Sequence, residues 1–331
     1  MKQLSMKPVL HAALLLALSA PICAFAQGPQ NDASPLLRAN DAQPAGDLKD
    51  DANAAARLRA QVLLDRAHFG PGEIDGRWGT NTERAIAAFQ RSRDLDATGA
   101  MDEATWRALT VDTSPALVEY RLTAQDVAGP YTAIPDDMMA KAALPQLGFA
   151  SLAEALGERF HASPALIAAL NPGADLTREG TTLWVPNVQA NALAKAASVV
   201  VDKSDSSLLL RDAQDRVYAR FPASTGSEHD PLPIGRWTIK GVARDPHFQY
   251  NPKLFWDADP GHAKAKIAPG PNNPVGVVWV DLSKDHYGIH GTPEPGKVGK
   301  TESHGCIRLT NWDAAAVAGA VGPGTPAVLQ Q

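Results

Sequence analysis

Cysteine is nearly missing from this chain: 331 residues hold two, Cys23 and Cys306. One pair makes at most one disulfide, which excludes a disulfide-stapled scaffold. There is no C-x-x-C pair and no H-E-x-x-H, which speaks against the usual zinc sites. Aromatics are sparse at 6%, and the net charge of −5 comes with no basic stripe, so nucleic acid is not an expected partner. Beyond the N-terminus no run is apolar for long enough to span a membrane. What is plentiful is punctuation. Glycine and proline number 26 each, in a chain long enough for two or three domains.

The N-terminus reads as a secretory signal. Lys2 and Lys7 precede the apolar stretch Pro8 to Ala20, Pro21 ends it, and Ala24-Phe25-Ala26 forms an A-x-A cleavage site. Cys23 follows Ile22, a larger residue than lipoprotein processing wants before its cysteine. Cleavage after residue 26 would leave Cys306 alone in an exported protein, where a free thiol is a liability unless it is used.

Residues 27–54 are rich in Pro, Asn, Asp, Gln and Ala without sustained period, and are expected to be a flexible leader. Residues 55–110 predict three helices. Leu58, Val62 and Leu63 stripe the first, Ile86 and Phe89 the second, and Asp102 caps a third holding Trp106 and Leu109. The stretch from Gly70 to Leu109, with Ile74-Asp75-Gly76, Gly79, Thr82, Phe89-Gln90 and Thr98-Gly99, resembles the small all-α peptidoglycan-binding module found beside wall enzymes. Residues 111–190 open ambiguously. Ser151 and Glu154 then make a capping box, Ser163-Pro164 starts a second helix, and "TTLWVPN" is a strand. Helix, helix, strand with "ALNPGADL" resembles an α+β LysM module, which implies binding to glycan chains, although the usual opening strand is not evident.

Past an alanine-rich joint, residues 198–331 become mostly β, with one late helix, "NWDAAAVAGAV", started by Thr310 or Asn311. Two stretches there carry chemistry, "YGIHGTPEPG" around His290 and "SHGCIRL" around Cys306. A thiol becomes a useful nucleophile when an imidazole takes its proton. Glycine beside a nucleophile leaves backbone N–H groups free to face a developing oxyanion. Arg308 would favour thiolate or hold a substrate carboxylate. His290 and His304 both remain candidates for the base, because a residue two before Cys306 shares its face only if the chain is extended there.

Papain-like wall peptidases place cysteine before histidine, and sortases spread their histidine, cysteine and arginine over separate strands. Here His290 precedes Cys306 by sixteen residues. The combination "IHGT…SHGCIRL", with "LPIGRW" and "IAPGPNNPVG", resembles the L,D-transpeptidase catalytic domain over residues 198–331. That resemblance implies Cys306 as nucleophile and His290 as general base, oriented by the Gly291 carbonyl. It implies oxyanion N–H groups at Gly305 and Cys306, with His304 and Ser303 shaping the site. Arg308, Tyr250 and Asn273 would contact substrate.

The implied reaction acylates Cys306 with a peptidoglycan tetrapeptide stem, releases D-alanine and passes the acyl group to an amine as a 3→3 cross-link. No metal or organic cofactor is implied. Carbapenem β-lactams are the implied inhibitors, and the setting would be periplasmic and wall-associated. The acceptor stays open between a stem amine, a lipoprotein lysine and water. A non-catalytic wall-binding protein is the rival of another class, but dead copies normally lose the nucleophile or the base. Residues 245–274, long, aromatic and proline-rich, are expected to form a lid over the acyl site.

Overall fold

The computed structural model describes residues 34–331; the expected secretory signal and residues 27–33 of the leader lie outside the described residues. Three helices come first, α1 Ala54–Arg66, α2 Thr80–Ser92 and α3 Glu103–Leu109. The Asp102 carboxylate accepts the Thr105 N–H at 2.7 Å and starts α3. Phe69 meets Phe89 edge-on at 5.7 Å in a core with Leu63, Leu64, Ile86 and Trp106. Gln90 is fully buried, and its amide holds the turn at Thr98–Ala100 by accepting from Gly99 N and donating to Ala100 O. Helix α1 is covered on nearly every side, because Leu58 and Val62 leave this core for the next one.

That second core is drawn from β1 Leu117–Arg121, α6 Leu152–Arg159, α7 Pro164–Leu170 and β2 Thr182–Pro186 of a middle module that also holds α4 Ala124–Ala128 and α5 Met138–Ala142. Ser151 and Ser163 cap α6 and α7 through the N–H groups of Glu154 and Leu166. Strand β1 pairs antiparallel with β2, Leu117 opposite Pro186, and supplies the opening strand that sequence reading did not find. The leader differs from expectation over residues 34–53. Ala39 and Leu48 are buried, and the Asn40 amide both donates to and accepts from the Leu117 backbone. Short apolar residues with no period still dock when a neighbouring module offers them a groove.

The remaining chain builds β3 Ser198–Asp202, β4 Ser207–Arg211, β5 Val217–Pro222, β6 Gly235–Arg244, β7 Phe248–Tyr250, β8 Ala265–Ile267, β9 Val278–Leu282, β10 Gly288–His290, β11 Ile307–Arg308, α8 Asn311–Ala320 and β12 Pro326–Gln330. Eight strands form one sheet in the order β11-β10-β9-β6-β12-β3-β4-β5, parallel at β10–β11 and β12–β3 and antiparallel elsewhere. Helix α8, capped by Thr310, packs Ala314, Val317 and Ala318 on the sheet core. Strands β7 and β8 form a separate ribbon within residues 245–274, so the segment expected as an unpatterned lid has structure of its own. Its core of Tyr250 and Ile267 is shared with Leu147 from the middle module.

The modules meet through buried polar groups. Edge strand β5 is covered by the helical module, where Gly70 N–H donates to Arg220 O and Arg220 N–H to His68 O, each at 2.8 Å. At the N-terminus of α8, His161 lies 3.0 Å from Asp65 and stacks on Trp312 at 5.0 Å. Burial pushes the Glu158 and Asp313 carboxyls up to about 7, Asp65 adding to the effect on Asp313. A carboxyl raised in the folded state holds a proton that the unfolded chain has lost, so stability falls as pH rises from the ordinary carboxylate range through about 7. The Tm of Asp313→Asn relative to the parent is therefore expected to climb between pH 5 and pH 8, by roughly 2–4 °C per kcal/mol of relieved charge burial. A Tm difference that does not vary with pH in calorimetry would contradict this.

Candidate active site

The two chemical motifs meet because β10 and β11 run side by side, Ile289 opposite Ile307 and His290 opposite Arg308. Side chains alternate along a strand. Ile289 and Ile307 go fully into the core, which leaves His290 and Arg308, with Cys306 two residues before, on the opposite face. All three line one cavity of about 1000 Å³, walled on the far side by the β7–β8 ribbon.

His290 is buried and tightly specified. Its Nδ1 lies 2.6 Å from Gly291 O. A carbonyl can only accept, so Nδ1 carries the hydrogen and Nε2 keeps its lone pair. Trp279 stacks on the ring at 5.7 Å, reaching it across Gly288, where any Cβ would strike the indole. Burial, reinforced by Arg308, pushes the imidazole down to about 4, so it is neutral at ordinary pH.

Cys306 is half-buried. Burial pushes its thiol up and Asp230 adds to that, outweighing the Gly288 N–H and Arg308, which pull it down. The resting pair is thus thiol and neutral imidazole, suited to proton transfer during attack instead of a preformed ion pair. The thiol faces His286 O at 3.6 Å, so S–H must turn to hand its proton to His290.

Gly305 has φ +94°, and an added Cβ would lie 2.8 Å from the Tyr287 ring, so this turn admits glycine alone. Ser303 closes the same turn, its Oγ donating to Cys306 O at 2.6 Å and its N–H to Thr225 O. The His304 Nε2 lies 3.0 Å from Asp257 on the far wall, and its ring packs edge-on against Phe255. Of the two candidates, His290 is the one that shares the strand face with Arg308, next to Cys306, while Asp257 engages His304 from across the cavity. Arg308 has no carboxylate within ion-pair distance among the described residues, with Glu294 acting from further away.

Two residues expected to contact substrate are held by other groups of the protein. Asn273 is fully buried and does not reach the cavity; its amide donates to Ala268 O at 2.7 Å and accepts from Val275 N, clamping the loop. Tyr250 lines the cavity but is only 4% exposed, and its hydroxyl is taken by His262 Nδ1 at 2.9 Å. His262 Nε2 in turn meets Asp137 at 2.7 Å, so the middle module holds the ribbon. Sequence reading also passed over Trp279 and Tyr287. Tyr287 opens the very motif that holds His290, but strand alternation would pair it with core-facing Ile289 and so gave no signal for it. Asn311 was read only as a helix start, yet its Oδ1 lies where a Cβ on Gly276 or Gly291 would go, and it accepts from Val277 N at 3.2 Å.

Residues 196–329 match the family described as the L,D-transpeptidase catalytic domain, and residues 53–109 match a peptidoglycan binding domain. The chain is therefore an enzyme built on an L,D-transpeptidase catalytic domain, with a peptidoglycan-binding domain ahead of it. It is similar to YkuD of Bacillus licheniformis, named as an L,D-transpeptidase, at 28% identity over 52% of this chain and 89% of that protein. It is also similar to YbiS of Escherichia coli K12, again named as an L,D-transpeptidase, at 28% identity over 43% of this chain and 48% of that one. The chain thus spans about half the length of the Escherichia coli relative. Among solved structures, an L,D-transpeptidase from Mycobacterium smegmatis overlays with a TM-score of 0.33 at 22% identity, covering 46% of this chain and 75% of its own.

Proposed function

We propose that the enzyme acylates Cys306 with a peptidoglycan tetrapeptide stem and passes the acyl group to an amine, forming a 3→3 cross-link. The observation that carries this reading is one cavity holding a half-buried thiol, an imidazole fixed in the Nδ1–H tautomer and a guanidinium with no ion-pair partner among the described residues. In the first half-reaction Cys306 sulfur attacks the carbonyl of the L-centred residue while His290 Nε2 takes the thiol proton. Gly305 and Cys306 N–H groups face the oxyanion. The C–N bond then breaks, His290 returns the proton to the leaving amine, and D-alanine departs. Arg308 holds a carboxylate of the donor stem. Carbapenems would enter the same route as acylating inhibitors.

The two N-terminal modules support a wall setting for this chemistry. The helical one matches a peptidoglycan-binding domain, and the middle one pairs β1 with β2 beside helices α6 and α7, with α4 and α5 inserted after β1, a pattern that supports a LysM-like glycan binder. We read the chain as exported and periplasmic; among the described residues no helix is long and apolar enough to cross a membrane.

The test is product analysis with purified enzyme and disaccharide tetrapeptide. D-alanine should appear in step with a 3→3 dimer. D-alanine with tripeptide alone would make the enzyme a carboxypeptidase, and transfer only to a lipoprotein lysine would make it an anchoring enzyme. No D-alanine at all would overturn the reading.

A further inference from the structure

We propose that Asp230 is the acceptor-recognition residue, its carboxylate receiving the ammonium group of a primary amine that then attacks the Cys306 acyl-enzyme. This rests on the acyl-transfer reading above. Asp230 lines the same cavity as Cys306 and Arg308. Its Oδ2 is wholly buried and has no hydrogen-bond partner among the described residues. Among the described residues no cation lies within ion-pair distance of it. A buried oxygen left this way costs free energy that a bound donor would return.

The other acids on the cavity wall are engaged or exposed. Asp137 is held by His262, Asp257 by His304 and Asp285 by Lys240; Asp259 accepts the Gly261 N–H, and Asp136 faces solvent. The Asp230 loop is firmly placed. Its N–H donates to Ser227 Oγ at 3.1 Å, and a Cβ on Gly226 would come within 2.3 Å of Asp230 O.

The charge works against the nucleophile, since Asp230 helps push the Cys306 thiol and the Tyr287 phenol upward. A carboxylate that hinders thiolate formation is of use only to a different step. Transfer is that step. Arg308 draws the anionic end of the donor, and Asp230 repels that end while attracting a cation. One ammonium proton leaves to solvent past Asp230, and the neutral amine attacks the thioester carbonyl. The C–N bond forms and the C–S bond breaks. The second amine proton goes to His290 Nε2 and from there to the departing Cys306 sulfur, restoring thiol and neutral imidazole.

The experiment uses the full chain, a tetrapeptide donor and Nα-acetyl-lysine amide as the acceptor probe, a primary amine without a free carboxylate. D-alanine release reports acylation; amide product against tripeptide reports the split between amine and water. Asp230→Asn is expected to raise the amine concentration for half-maximal transfer at least about tenfold, the worth of one hydrogen bond to a charged group. D-alanine release should change much less, and Asp230→Glu should recover part of the amine dependence. An unchanged half-saturating amine concentration in a folded Asp230→Asn overturns the proposal, as does an equal loss in both half-reactions. A parent enzyme that acylates but gives the acyl group only to water sinks it while leaving the thioester reading intact. A parent that never acylates takes both down. Should the asparagine variant fail to fold, Asp230→Glu carries the same comparison.

Discussion

Cys306→Ala is expected to fold normally and to take up no acyl group at all. Mass spectrometry of the parent after exposure to a carbapenem should show one adduct, and the variant none. The fold should survive because the thiol makes only a long contact to His286 O, while the turn around it is held by Ser303 Oγ on Cys306 O and by the conformation of Gly305. Loss of a half-exposed sulfur from such a turn removes little packing. The kinetic effect should be complete, because among the described residues Cys306 is the sole cysteine, and Ser303 in the same cavity spends its Oγ on Cys306 O. An adduct of undiminished mass and stoichiometry on Cys306→Ala would place the nucleophile elsewhere and empty the proposed mechanism.

Loss of the base comes second in size. His290→Ala should slow acylation by about 10²–10⁴, the usual worth of a positioned general base. His304→Ala should cost far less, since its Nε2 is bound to Asp257 on the opposite wall. The reverse ranking in single-turnover kinetics would hand the base role to His304. The pH profile adds a sign. Because burial and Arg308 hold the His290 imidazole down near 4, Nε2 keeps its lone pair until the pH falls to about 4. The acid limb of the acylation rate should therefore lie near pH 4, well below ordinary histidine titration. The thiol, raised by burial, stays protonated past its usual range, so the plateau extends upward as well. Removing His290 should abolish the acid limb.

Much of this was readable before any coordinates, and the reason is locality. The helix starts at Asp102, Ser151, Ser163 and Thr310 depend on residues three apart, and all four side chains accept the N–H three residues on. That His290 and Cys306 share a cavity could be anticipated because each sits in a short glycine-flanked motif, one ending β10 and the other leading into β11. What escaped depends on distance. Strand β1 shows itself only against β2, some sixty residues later. The leader between Ala39 and Leu48 looks polar until α1 and β1 provide the groove that buries it. Tyr250 and Asn273 were the right residue types for substrate, but His262 and the Ala268 carbonyl claim them first. Asp230 carries no local signal, because an unpartnered oxygen is a statement about everything around it.

The chain Tyr250–His262–Asp137 has a mechanical meaning. It is a tie between the ribbon that walls the catalytic cavity and the module that precedes the catalytic domain, with a buried end at Tyr250 and a half-exposed end at Asp137. Under a pull on the middle module, the Asp137 end would part first and Tyr250 would stay seated. Load taken up from a stretched wall would thus reach the far wall of the acylation cavity before it reached the sheet that holds Cys306.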